Sequence, residues 1–307
     1  MSLTAAALVL LQLGSSWASG RPAECTSLDG PSGANVWERA KAPELRKYCD
    51  KLALASARLS GGGSQPKEAL ALAEEADKLL PNRATPLVLQ GRALVRLGRH
   101  ADAKALFVSA RQRDDHALDE SAALLAWART ASRTGDVDEA AKAYGRLLPQ
   151  SSTLPGAERS AAALEAGLLL LSRGPKSIDD AIAVLRQARR EAEGAHVGAS
   201  VLALALALDR AGQRDEARGV LGERAKIDPR PIVSDPRVQE VLANAAAALE
   251  ADALVAVGLE ATDAVAARDA FRRYAEKSKG PWVEHATARA KPGGAAPDGR
   301  PRPKGAR

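Results

Sequence analysis

The amino-acid sequence predicts an all-α chain, a right-handed α-solenoid of stacked helix-turn-helix hairpins, on three observations. The first is a spaced set of alanines. Ala69, Ala103, Ala140, Ala181, Ala217 and Ala270 recur at intervals of 34, 37, 41, 36 and 53 residues. Each has a small or bulky residue for burial four positions on: Ala73, Phe107, Tyr144, Leu185, Leu221 and Tyr274. Self-similarity of this length marks units that bury their apolar faces only against their neighbours. The second is composition: the chain is 46% hydrophobic but only 3% aromatic. It is rich in Ala, Leu, Arg and Glu, which are strong helix formers, and no alternating strand pattern persists. The third is punctuation, because Gly or Pro falls between the periodic segments, where the one permits a left-handed helix end and the other stops a helix.

Residues 1–19 read as a signal peptide and 20–42 as an extended lead-in rich in Gly, Pro and Ser. A helix opening at Pro43, a favoured first helical residue, runs to about residue 60 with Leu45, Tyr48, Cys49, Leu52 and Leu59 on one stripe. Gly61, Gly62 and Gly63 break it, and a second helix spans 66–80 before Pro81. The pattern then repeats. Helices 86–97 and 101–113 flank Gly98, and helices 121–134 and 138–148 flank Gly135. Helices 156–173 and 178–192 flank Gly174, and helices 198–211 and 214–227 flank Gly212. The last pair is 236–257 and 263–277, around Gly258. A closing helix at 281–290 places Trp282 and Val283 over the end of the stack, as solenoid caps do. Residues 291–307, rich in Pro, Gly and Arg, read as a disordered basic tail.

The run Gly135-Asp136-Val137-Asp138-Glu139-Ala140-Ala141-Lys142-Ala143-Tyr144 resembles the turn and second helix of a tetratricopeptide repeat. Gly91, Gly98, Ala103, Phe107 and Ala110 show that family's small and aromatic spacing in the preceding unit. Gly212, Ala217 and Leu221, with Asp228 and Pro229, show it again. The resemblance spans roughly residues 43–280, or about six hairpins, and weakens around Ala69, where Ser64 stands in place of the turn glycine. It implies that small residues sit where the two helices of a hairpin touch. It also implies that the first helix of each hairpin lines a concave, partner-binding groove.

On that face the charges are ordered. Arg58, Arg92 and Arg129 lie eleven residues before a signature alanine, and Arg96, Arg133 and Arg210 lie seven before one. Arg92 with Arg96, and Arg129 with Arg133, are i,i+4 pairs of like charge, each unfavourable by a few tenths of a kcal/mol, roughly. Leu164, Leu168, Leu171, Leu202 and Leu206 occupy the corresponding face of later units. The expectation is a channel that is basic in its N-terminal half and apolar in its C-terminal half. Such a channel suits a protein segment with acidic residues at one end and leucine-like anchors at the other.

The net charge of +6 is concentrated in residues 291–307, which hold five Lys or Arg against Asp298 alone. With no basic recognition helix, nucleic acid is not an expected partner. Ala5 to Leu13 form an apolar run of signal-peptide length, followed by Ser16, Trp17 and Ala18 at a cleavage-site spacing. That predicts export, to a periplasmic or other extracytoplasmic space, with no integral membrane span. The only cysteines, Cys25 and Cys49, are expected to form a disulfide there.

Catalytic chemistry finds no footing. His100, His116, His196 and His285 sit in different units, and Asp114, Asp115, His116 and Asp119 lack ligands fixed on one helix face. The glycine-rich turns at 61–64 and 174–177 lack the phosphate-loop spacing. The sequence thus points to a non-catalytic scaffold of the cell envelope with no cofactor and no metal. The alternative is a protein that binds an anionic polymer or membrane surface through its basic tail.

Overall fold

The computed structural model describes residues 22–26, 43–60 and 63–292. The expected signal peptide, most of the expected lead-in and residues 293–307 of the expected tail lie outside the described residues. All regular structure among the described residues is helical, and the helices pack in adjacent pairs. The chain divides into two compact units, Met1–Thr130 and Ala131–Arg307.

The N-terminal unit contains α1 (Ala23–Thr26), α2 (Pro43–Leu59), α3 (Pro66–Leu79), α4 (Ala84–Arg96) and α5 (His100–Arg113). It also holds most of α6 (Ser121–Arg133). Helix α3 packs against both α2 and α4, α4 packs against α5, and α2 touches α4. This is the order that consecutive hairpins produce when first helices lie beside first helices. The apolar stripe of α3 is Ala69, Ala73 and Ala76, all fully buried. Side chains that small bring helix backbones close and leave the larger Tyr48 and Leu52 to fill the space beside them. The same logic sets Gly91 against Phe107, where an added Cβ would lie 2.7 Å from the ring. Phe107 in turn meets Trp127 edge to face, with centroids 6.0 Å apart.

At the start of this unit residues 23–26, expected as part of an extended lead-in, form a helical turn. Cys25 and Cys49 are joined in a disulfide with Cα atoms 5.9 Å apart, and Cys25 is fully buried. The Glu24 carboxylate accepts hydrogen bonds from Tyr48 Oη (2.8 Å) and Thr85 Oγ1 (2.9 Å). Residues 22–26 are therefore fastened to α2 covalently and to α4 by a polar contact. Burial, reinforced by the Glu24 hydrogen bond, holds the Tyr48 phenol well above its ordinary pKa, so it remains a donor.

The C-terminal unit holds α7 (Val137–Leu147), α8 (Gly156–Ser172), α9 (Ile178–Glu191), α10 (His196–Arg210) and α11 (Arg214–Leu221). After them come α12 (Arg230–Ser234), α13 (Pro236–Asn244), α14 (Ala251–Leu259), α15 (Ala264–Lys277) and α16 (Val283–Arg289). Pairs α8 with α9, α10 with α11 and α14 with α15 form hairpins, and the first helices touch in the order α8, α10, α14. All six signature alanines are buried, at 4% exposure or less.

Two expected helices are shorter in the structure. The segment 214–227 stops at Leu221 and continues as a 3-10 turn, Gly222–Lys226. The segment 236–257, expected as one helix, divides into α13, a 3-10 turn at Ala248–Glu250, and α14.

The reason for the second break lies in hydrogen bonds already seen elsewhere. Helix α4 ends with Gly98 at φ +74°, its amide donating to Val95 and that of Arg99 to Leu94. Helix α13 ends in the same way, with Ala246 donating to Ala243 and Ala247 to Leu242. Here the left-handed residue is an alanine, Ala246 at φ +52°, so the glycine that signals a helix end is missing. An alanine in this conformation is disfavoured by about 1 kcal/mol. Ala246→Gly is therefore expected to raise stability by about 0.5–1 kcal/mol, read as a higher urea midpoint with an unchanged slope. An unchanged or lower midpoint would mean that the strain is absent.

Candidate functional site

The residues expected to line a single channel fall in both units, and each unit is described by itself. In the N-terminal unit the arginines are accessible to different degrees. Arg58 is exposed, with Nε 3.1 Å from Glu68 Oε1. Arg96 is exposed in the last turn of α4. Arg129 is half-buried, and the Arg92 side chain is only 13% exposed, with Nη1 3.7 Å from Glu120 Oε1. The Arg92 charge thus has a partner that offsets its repulsion from Arg96. Arg58, Arg96, Arg133 and Arg210 share one further property, since each lies in the last turn of its helix. A cation there is favoured by the helix dipole by about 0.3–1 kcal/mol. Part of the arginine periodicity therefore records helix ends.

The C-terminal half of the expected channel is corrected by the structure. Leu164, Leu168, Leu171, Leu202 and Leu206 are all buried, at 4% exposure or less. They do not line an open surface, because the chain covers them itself. Helix α13 packs on α8 and α10, and α12 packs on α10 and α14. Glycines admit the covering segment. An added Cβ at Gly198 would lie 2.9 Å from Ile232, and one at Gly258 would lie 2.8 Å from Pro229. The closing segment crosses the same helices. Trp282 is buried, and its Nε1 donates to the Leu171 carbonyl at 2.7 Å. The expected end cap is thus also a strap, reaching back to the end of α8.

Arg210 is the second correction. It is 1% exposed and its Nη2 lies 2.5 Å from Glu250 Oε2. Its guanidinium sits between the Tyr274 and Trp282 rings, 5.4 Å and 4.9 Å from their centroids. Tyr274 Oη donates to the other Glu250 oxygen at 3.2 Å. Arg210 is therefore an internal ion pair of the C-terminal unit.

A second polar chain secures α13. Glu165, fully buried within the apolar α8, accepts from Tyr144 Oη (3.0 Å) and from Asn244 Nδ2 (2.9 Å). Asn244 Oδ1 accepts from Arg133 Nε at 3.1 Å. Arg133 thereby reaches a residue of the covering segment.

A third cluster holds α16. Arg289 Nε lies 3.2 Å and His285 Nε2 3.3 Å from Asp209 Oδ2, and Arg289 Nη2 pairs with Glu260. Burial opposes the charged form of Asp209. The neighbouring His285, Arg289 and Arg214 outweigh it and hold the carboxyl below its ordinary pKa. The stability this confers is present above the ordinary aspartate range and is lost as pH falls through the depressed value.

Sequence reasoning did not single out Glu165, Asn244, Glu250 or Asp209. A signal existed for two of them. Glu165 interrupts the run of apolar residues in α8, and Asp209 follows an unbroken apolar stretch in α10. A carboxylate in a helix apolar on all sides is buried with a partner. The partners lie 79 and 80 residues further on, beyond any local pattern.

Of the four histidines, His116 is exposed, with Nδ1 2.8 Å from Asp119 Oδ2. The hydrogen bond and charge of Asp119 raise its pKa. An NMR titration should place its midpoint above that of an ordinary histidine, and Asp119→Asn should return it. The linked stability is present below the ordinary histidine pKa and is lost as pH rises through the raised value. A midpoint unmoved by Asp119→Asn would rule out this pairing in solution. Among the described residues, no three His, Cys, Asp or Glu side chains converge as metal ligands would.

No protein-family model matches this chain, and comparison with curated proteins finds no match.

Proposed function

We propose that the chain is a non-catalytic protein-binding scaffold of the cell envelope, an exported α-solenoid of tetratricopeptide-like hairpins. Its partner segment docks on the first-helix face of the N-terminal unit. One observation carries this reading: Arg58 and Arg96 are exposed there, whereas the leucines and Arg210 of the C-terminal unit are covered by the chain's own residues. The order of helix contacts and the buried signature alanines support the repeat assignment. The Cys25–Cys49 disulfide supports export, since such bonds persist in oxidising compartments. Among the described residues, no helix is long and apolar enough to cross a membrane. Arginines at helix ends favour an acidic partner segment through charge-assisted, bidentate hydrogen bonds.

The test is affinity capture from the native envelope extract with the parent chain, an Arg58→Glu/Arg96→Glu variant and an Arg272→Glu control. Arg58 and Arg96 are exposed, so each reversal should cost little beyond the helix-end preference of about 0.3–1 kcal/mol, and the exposed Arg272 control about 0.5 kcal/mol or less. A protein held by parent and control but lost by the double variant is the expected result. Identical captured sets for all three would exclude the arginine face as the binding surface.

A further inference from the structure

Two adjoining cavities in the C-terminal unit are lined by none of the residues assigned to partner binding. The first, of about 230 Å³, is bounded by Arg214, Glu260, Arg268, Phe271, Arg289 and Lys291. The second, of about 240 Å³, has an apolar wall of Ala217, Leu221 and Val257 and a polar one that includes Asp209. Arg214 and Glu260 belong to both.

The chemistry of the two chambers differs. In the first, four cations surround one carboxylate, and Glu260 is already paired with Arg289 and 4.0 Å from Arg218. Arg268 and Lys291 form no ion pair among the described residues. That chamber has an excess of positive charge, which an anion would neutralise. In the second, Asp209 Oδ1 is buried and accepts no hydrogen bond, with Arg214 Nε 3.6 Å away. A buried carboxylate oxygen without a donor is unfavourable and calls for one. Ala217, Leu221, Val257 and Ala261 supply the aliphatic wall, and Arg218 and Glu260 complete the polar one. Taken together, the chambers fall within the size range of small-molecule sites, roughly 300–1,000 Å³.

We infer that the joined cavities bind a small branched aliphatic carboxylic acid with a hydrogen-bond donor next to its carboxylate. The carboxylate lies between Arg268 and Lys291, and the donor reaches Asp209 Oδ1. The aliphatic group packs on Ala217, Leu221 and Val257. Two kinds of molecule carry this chemistry, an amino acid and a hydroxy acid, and the test separates them.

The full chain is titrated calorimetrically with leucine, 2-hydroxy-4-methylpentanoate, 4-methylpentanoate and leucinamide. At least one of the two donor-bearing acids should bind tenfold or more tightly than 4-methylpentanoate, and leucinamide should not bind. Whichever acid wins identifies the donor as ammonium or hydroxyl. Arg268→Gln/Lys291→Gln should weaken that binding at least tenfold while leaving the melt unchanged, since neither side chain holds an ion pair among the described residues. Silence from all four compounds, equal binding of 4-methylpentanoate, or a double variant that binds like the parent would overturn the assignment. Arg58 and Arg96 play no part in it, so its failure leaves the protein-binding reading standing.

Discussion

Glu250→Ala should lower the unfolding free energy of the C-terminal unit by about 3–5 kcal/mol, the cost of leaving a buried charge without its partner. The stranded charge would be Arg210, 1% exposed and enclosed by Tyr274 and Trp282. Ring faces attract a cation, but they accept no conventional hydrogen bond, and Arg210 Nε and Nη1 have no acceptor even with Glu250 in place. Tyr274 would lose an acceptor as well. A second variant separates the ion pair from mere space-filling. Arg210→Met combined with Glu250→Leu removes both charges and keeps apolar volume, and it should recover most of the loss. Urea denaturation of the parent, the single and the double variant measures this. A single variant within 1 kcal/mol of the parent would mean that water reaches Arg210 and the site is not enclosed.

The disulfide comes next in size. Cys25 and Cys49 are 24 positions apart in sequence, and the chain-entropy account gives a loop of this size about 3.5 kcal/mol. The bond also holds Glu24 where Tyr48 and Thr85 donate to it, so its loss should release that polar contact as well. Cys25→Ser/Cys49→Ser is expected to lower the melting temperature of the N-terminal unit by several degrees, and reductant should reproduce the effect in the parent. The C-terminal unit contains no cysteine, so its transition serves as the internal control. A reductant-insensitive first transition would show that the cysteines are free in the native chain.

Much of the hairpin grammar was legible because its determinants are local. Glycine or proline marks most helix ends, and small residues recur at the contact positions. Most boundaries expected from the sequence agree with the structure to within two residues. Helix 101–113 begins at His100, and helix 263–277 begins at Ala264. Local reasoning failed where the chain supplies its own ligand. The stretch Ala245 to Ala248 reads as uninterrupted helix, since alanine is the best helix former. It breaks between two residues held by distant partners, Asn244 by Glu165 and Glu250 by Arg210. Two buried carboxylate contacts outweigh a propensity of a few tenths of a kcal/mol per residue.

The candidate surface followed the same division. The spacing reads as a binding face, whereas Arg58, Arg96, Arg133 and Arg210 share a place in the last turn of their helices, where helix phase and the helix dipole act within a turn or two. Spacing could not tell an exposed leucine stripe from a buried one. Leu164 and Leu206 have the pattern of a face that must meet something apolar, whether that is a partner or residues 229–250 and 281–289 of the same chain.

The sequence by itself determined that the chain is helical, that it folds in pairs of helices, which alanines and glycines lie at the contacts, and which two cysteines join. These follow from propensity, periodicity and the presence of one possible disulfide pair. Only the tertiary structure decided which faces remain open. Covering the leucines requires α13 to pack on α8 and α10, and Trp282 to reach the Leu171 carbonyl. Contacts 79 to 111 residues apart in sequence decide that covering, and they depend on burial and hydrogen-bond satisfaction summed over the folded unit rather than on any local run of residues.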